Sequence, residues 1–349
     1  MSALVALQRR MTELAVDALL ITDPANVRYL SGFTTPTDGR LLLTSDGSWL
    51  VTDRRYQAQA AEESRIPVEI RRDWVPWVGE RVGRGRLGVE AESLTVALYE
   101  ELSGHLGGAP LALRGLLRDR RMIKDAVEQE KLRLAARITD HAFDHILGFM
   151  REGLSEVDVA LELERAMRTE GAEAKSFDIV VASGNRSEMP HGVASPKRLE
   201  RGELVTLDFG AMVGGYHADM TRSVAIGELS DELRALYDAV LEAEQAALAA
   251  ARPGVTGHDL DAVARAVLAH HRLEQYFAHS LGHGVGLEIH EGPKVARDST
   301  DVLEPGMAVT IEPGVYVAGV GGLRIEDLVL ITSNGNERLS LAPTELITV

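Results

Sequence analysis

A chain of 349 residues, 45% apolar and 26% charged, has the composition of a soluble globular protein with one large or two ordinary domains. A net charge of −16 disfavours a nucleic-acid-binding or anionic-membrane surface, since both need clustered Lys and Arg. The absence of cysteine removes disulfides, thiolate nucleophiles and thiolate-bound zinc together, and no apolar run approaches the roughly 18 residues of a membrane-spanning helix.

Taken in chain order, the first stretch, MSALVALQRRMTELAVDALLI, has helical spacing and closes on a strand-like run. It lacks a basic region followed by a cleavable apolar core, so a cytoplasmic location is expected. RLLLTSDGSWLVTD predicts two strands joined by a Ser-Asp-Gly turn, and RYQAQAAEES a helix. Strand and helix alternate at short intervals, as in a layered α/β domain. The charged stretch Arg118–Asp125 then precedes a long helical pattern over about 126–150. The division is placed there, giving domains 1–120 and 121–349.

The second domain contains an internal duplication. Gly153-Leu154-Ser155-Glu156-Val157-Asp158 parallels Gly254-Val255-Thr256-Gly257-His258-Asp259, and both read as helix starts with a capping Ser or Thr. The run ending at Asp208-Phe209-Gly210 parallels the run ending at Glu312-Pro313-Gly314. Asp219 matches Glu326, and His191 matches His290, at a nearly constant offset. Each half thus supplies a strand ending in a carboxylate and a second carboxylate shortly after. A pseudo-two-fold axis would bring all four together.

Taken singly, these residues have ordinary explanations. Asp208 and Asp219 flank a turn signal at Gly214-Gly215 and could be turn residues. His283, between Gly282 and Gly284, could be a loop histidine bonded to backbone. Glu312 and Glu326 change the balance, because each borders an apolar strand-like run where an unpaired carboxylate is rarely buried. Arg324 can neutralise one carboxylate but not four. Four carboxylates and one imidazole form an oxygen-rich set that suits Mn²⁺, and also Co²⁺ or Zn²⁺, with enough donors for two ions. His141 and His145 are spaced as on zinc-binding helices but lack the accompanying glutamate, and His270-His271 reads as the polar end of a helix.

The combined pattern resembles the metal-dependent "pita-bread" peptidase family of methionine aminopeptidase, aminopeptidase P and prolidase. The pattern is Asp208, Asp219, His283 within HSLGHGVGLEIHEGP, Glu312 within TIEPG and Glu326 within GLRIED. Asn26–Phe33 resembles the N-terminal domain of the prolidase, aminopeptidase P and creatinase branch. The resemblance implies a creatinase-like α/β domain followed by a pseudo-two-fold catalytic domain. It implies Asp208, Asp219, His283, Glu312 and Glu326 as ligands of two divalent ions. It also implies Glu312 as the proton shuttle and His191 and His290 as the residues that bind substrate and steady the oxyanion. Thr221 and Arg324, with His279 and Tyr216, are candidates for supporting positions.

The implied reaction is hydrolysis of the bond before proline in short peptides by a cytoplasmic homodimer. Prolidases often carry an arginine four residues after the second histidine, where this chain has Lys294. A dipeptidase is favoured by the shortness of the chain, and aminopeptidase P is the alternative. A creatinase-like hydrolase without metal and a silent binding module are further readings, opposed by the complete ligand set.

Overall fold

The computed structural model describes residues 3–349. The chain divides into two units, residues 1–120 and 121–349. In the first, α1 (Ala3–Glu13) leads into β1 (Ala18–Ile21), α2 (Pro24–Ser31), β2 (Arg40–Thr44), β3 (Ser48–Thr52), α3 (Gln57–Glu63) and β4 (Val68–Ile70). Then follow α4 (Trp74–Val82), β5 (Leu87–Glu90), α5 (Val96–His105) and β6 (Leu111–Leu113). The strands form one mixed sheet in the order β4-β3-β2-β1-β5-β6.

β1 is buried along its whole length. Successive strand side chains point to opposite faces. Leu19 and Ile21 therefore join Leu7 and Met11 of α1 in one core, while Ala18 and Leu20 join Val75, Val78 and Leu102 of α4 and α5 in another. Cover on both faces explains why β1 reads as a continuous apolar run rather than an alternating one. The Ser45-Asp46-Gly47 turn joins β2 to β3, with Thr44 N donating to Gly47 O at 2.9 Å.

A short helix, α6 (Arg118–Met122), carries the chain across the division. α7 (Ala126–Phe149) starts at a capping box formed by Asp125 and Glu128. The first half of the second unit continues with α8 (Glu156–Thr169), β7 (Ala174–Lys175), β8 (Val180–Ser183), β9 (Glu203–Phe209), β10 (Ala211–Val213), β11 (Tyr216–His217) and β12 (Met220–Ile226). The second half comprises α9 (Asp231–Ala250), α10 (Gly257–His270), β13 (Gly282–Gly284), β14 (Glu291–Val295) and β15 (Ala308–Ile311). It ends with β16 (Gly314–Val317), β17 (Gly321–Arg324), β18 (Asp327–Ile331) and β19 (Asn336–Arg338). Helices α7 and α8 pack on the sheet β12-β9-β8, and α9 and α10 pack on strands of the sheet β14-β13-β15-β18-β19.

The duplication is visible bond by bond. Ser155 caps α8 and Thr256 caps α10, each accepting from the N–H three residues on. Gly153 N donates to Leu199 O and Gly254 N to Leu303 O, both at 2.9 Å. Gly202 N and Gly306 N donate to Ile226 O and Ile331 O at 2.7 and 2.8 Å. These four glycines have φ of +87, +86, +88 and +93°, the left-handed region that glycine enters without a Cβ penalty. The halves meet where Glu326 N donates to Thr221 O and Ser223 Oγ donates to Arg324 O, each at 3.0 Å. Among the described residues no helix is long and apolar enough to cross a membrane.

Candidate metal centre

Each carboxylate stands at or beside a strand end, so the backbone ladders fix where it points. Asp208 lies on β9 opposite Thr221 of β12, and Asp219 immediately precedes β12. Glu312 directly follows β15, with its N–H donating to Leu281 O at 2.8 Å. Glu326 stands between β17 and β18. His283 is the middle residue of β13. Its neighbours leave no room for side chains: a Cβ on Gly282 would lie 2.1 Å from Thr310 O, and one on Gly284 2.0 Å from Gly292 O.

The structure brings Asp219, His283 and Glu326 together with one ligand atom each, all within 4.8 Å of one another. His283 Nε2 lies 3.6 Å from Asp219 Oδ2 and 3.4 Å from Glu312 Oε1. Its Nδ1 faces Gly284 O at 3.1 Å, which leaves Nε2 for the cluster. Asp208 is held by Arg324 Nη2 at 2.6 Å through one oxygen, while its buried Oδ1 has no hydrogen-bond partner. Thr221 Oγ1 donates to Glu326 Oε2 at 2.6 Å and accepts from Arg324 Nε at 3.0 Å. Thr310 Oγ1 donates to Glu312 Oε1 at 3.1 Å and accepts from His283 N.

Four carboxylates face one guanidinium. Burial, reinforced by the charges of Glu326, Asp208 and Glu312, pushes the Asp219 carboxyl well above the usual carboxylate range. Burial and the charges of Glu312 and Asp208 do the same to Glu326. Burial pushes Glu312 up to about 7. Burial and the nearby His290 hold His283 down at about 4, so its imidazole is neutral at pH 7. Neutral imidazole and clustered carboxylates are the protonation state and donor set a hard or borderline divalent cation requires. The unpartnered Asp208 Oδ1 is a further donor. The residues present therefore fit a metal group.

His191 and His290 are exposed beside this cluster. His290 packs edge-on to His283, with ring centroids 4.3 Å apart. Arg324 Nη1 donates to Pro190 O at 3.3 Å, tying the residue before His191 to the centre. His191 lines an open cleft of about 520 Å³ with Glu188, Met189, Pro190, Tyr316 and Ala318. Lys294 is not drawn to the cluster: its side chain is 55% exposed and its ammonium meets Asp298 at 2.7 Å. Tyr216 is also elsewhere, donating to Glu128 Oε1 at 2.6 Å. His141 and His145 face Glu170 and Glu162 on the surface, and His270 ends α10.

Sequence reasoning missed Tyr316. Its hydroxyl accepts from Arg324 Nη1 at 2.6 Å and lies 3.0 Å from His279 Nε2. Burial holds His279 at about 3, so it is neutral too. The one available signal was position: Tyr316 stands on β16, paired with β17, the strand that carries Arg324.

Residues 130–333 match the model of metallopeptidase family M24, and residues 4–123 match the creatinase/prolidase N-terminal domain. The chain belongs to metallopeptidase family M24. This M24 peptidase is 40% identical to a Xaa-Pro dipeptidase of Pyrococcus horikoshii, over 97% of its own length and 96% of the relative's. It superposes on a solved Xaa-Pro dipeptidase from Bacillus anthracis with a TM-score of 0.96 and 42% identity, covering 99% of each chain. An X-Pro aminopeptidase from Thermotoga maritima gives a TM-score of 0.92 at 37% identity, covering 100% of each chain. The expected architecture, a creatinase-type domain before a pita-bread catalytic domain, is the one found.

Proposed function

We propose that this M24 peptidase is a two-metal Xaa-Pro dipeptidase. The observation that carries the metal site is the convergence of Asp219, His283 and Glu326 within 4.8 Å, beside Glu312 and the unpartnered Asp208 Oδ1. Support for the substrate comes from relatives named Xaa-Pro dipeptidase at about 40% identity over nearly the full length. Asp208, Asp219, His283, Glu312 and Glu326 would hold the two ions. When bound, the ions supply an acidified water and a polarised carbonyl. Mn²⁺ is the proposed native ion, with Co²⁺ or Zn²⁺ able to replace it. A cytoplasmic homodimer is the proposed form.

The chain's own groups do the rest. His191 and His290 hold the substrate carbonyl and stabilise the oxyanion. Glu312 takes a proton on its carboxylate and delivers it to the leaving nitrogen. Before proline that nitrogen carries no N–H, so nothing in the site needs to accept a hydrogen bond from it. Arg324 holds Asp208 and Thr221 in place, and Thr221 in turn holds Glu326.

Lys294 favours a second reading. A dipeptidase must recognise the free carboxylate of the terminal proline, and the Lys294 ammonium is engaged by Asp298. If that pair persists with substrate, the activity is that of aminopeptidase P. Rates on Ala-Pro, Ala-Pro-Ala and Ala-Pro-amide with the Mn²⁺-loaded protein separate the two. Cleavage of Ala-Pro alone is expected. Faster turnover of the tripeptide or amide reverses the assignment, and no turnover of any removes the substrate class.

A further inference from the structure

We propose that Glu156 and Glu291 are positioning residues, each fixing one of the two loops that present His191 and His290. The inference rests on the reading of those histidines as the substrate pair.

Glu156 opens α8, and its side chain is fully buried. Its Oε1 accepts from Ser183 N and Ser183 Oγ at 2.8 and 2.9 Å. Its Oε2 accepts from Ser195 N and Ser195 Oγ at 3.0 and 2.7 Å, and from the Arg186 guanidinium. Ser183 and Ser195 are the two ends of the segment that carries His191. Arg186 lies within it and also donates to Val193 O at 2.9 Å. One carboxylate therefore closes the loop at both ends and braces its middle.

Glu291 does the equivalent for His290, which it follows directly. Its side chain is 6% exposed and meets Arg121 Nη2 at 2.5 Å and Lys124 Nζ at 2.9 Å. It also accepts from Glu288 N at 3.4 Å, while Arg121 reaches Glu288 at 2.7 Å. Lys124 N donates to Gly306 O at 2.8 Å, anchoring the cation end to the second half. The chain closes down on the carboxylate: a Cβ on Gly286 would lie 2.4 Å from Glu291 Oε1.

The two staples are not copies of each other. In the duplication Glu156 falls opposite Gly257, and Glu291 opposite Gly192. Each half reaches the same result, an immobilised histidine loop, with a buried acid at a different place. Buried ion pairs add little net stability once desolvation is counted. Geometric control of the histidines accounts for both, since small misplacement of a reacting group is costly in rate.

The test uses the full-length protein with Glu156→Gln and Glu291→Gln. Each removes the charge while keeping the side-chain volume. In the Mn²⁺-loaded variants, kcat on Ala-Pro is expected to fall about 10- to 100-fold with metal content unchanged. In the metal-free protein, the histidine ring NMR signals are read without substrate. Glu156→Gln should shift or broaden His191 and leave His290, and Glu291→Gln the reverse. Glu156→Asp and Glu291→Asp keep the charge, withdraw it by one methylene, and carry the same readouts if a glutamine variant does not fold. Parental kcat in a folded variant, or equal disturbance of both rings by either change, overturns the proposal. If the parent protein turns over no Xaa-Pro peptide, the substrate reading fails while the NMR readout still decides this one.

Discussion

At the scale of single residues, the site is defined by charge that the protein leaves uncompensated. Arg324 satisfies one oxygen of Asp208, and Thr221 one of Glu326, but Asp219 has repelling carboxylates on several sides. In the proposed mechanism Glu312 would have the most exacting task, as ligand and proton carrier. Glu312→Gln keeps the shape and the contact with Thr310 but removes the exchangeable proton. Steady-state kinetics on Ala-Pro should show kcat lower by about 10²- to 10⁴-fold. An activity within tenfold of the parent would assign the shuttle to another group. A second buried acid, Glu244, lies outside the site, with both oxygens lacking a hydrogen-bond partner. Burial, with the Asp327 carboxylate, pushes it up to about 9. An acid with a raised folded pKa stabilises fully below its unfolded pKa, about 4.3, and loses that contribution as pH rises through the folded value. Between those limits Glu244 should lower stability by up to about 1.4 kcal/mol per pH unit. Glu244→Gln should flatten that slope in urea midpoints measured from pH 6 to 8.5. Parallel slopes for parent and variant would mean Glu244 is ionised in the fold.

At the scale of elements, the glycines around His283 let β13 sit tightly between β14 and β15. Gly284→Ala forces a Cβ against Gly292 O, so β13 or β14 must move, and His283 with it. The expected result is metal affinity weakened by about tenfold or more, of the order seen when an outer-shell partner is lost, as measured by competition with a chelating dye. Unchanged affinity would show that the strand yields without moving the imidazole. Elements also explain what could be read from the sequence. The four candidate carboxylates were legible because each lies at or beside a strand end near turn residues, and the duplication because helix caps are local signals. Tyr316 was not legible, since a tyrosine on a strand is ordinary. Glu156 and Glu291 were hidden for a different reason. Glu156 lies in a helix-start pattern and Glu291 directly follows His290, while Ser183, Ser195, Arg121 and Lys124 lie 27 to 170 residues away. Lys294, whose offset from His290 suggests a substrate role, meets Asp298, four residues on, in the ligand-free chain.

At the scale of the molecule, the residues of the proposed metal centre lie wholly in the second unit, and within it in both halves. Asp208 and Asp219 come from the first half, and His283, Glu312 and Glu326 from the second. An ion held by residues of both halves would cross-link them as well as neutralise the carboxylates. At a concentration a hundredfold above Kd, one ion stabilises the unit it binds by about 2.7 kcal/mol. For a domain of this size that is roughly 5–10 °C in Tm. The first unit supplies none of the proposed ligands but holds all three tryptophans, Trp49, Trp74 and Trp77. Trp49 and Trp77 meet edge to face at 6.3 Å in a core built from first-unit residues alone. Tryptophan fluorescence thus follows that unit, whereas far-UV circular dichroism follows both. Chelating the metal should lower the circular-dichroism transition by several degrees and leave the fluorescence transition in place, with Mn²⁺ restoring the difference. A fluorescence transition that moves with the metal would show both units unfolding in one step. A circular-dichroism transition indifferent to metal would remove the carboxylate cluster as a cation site.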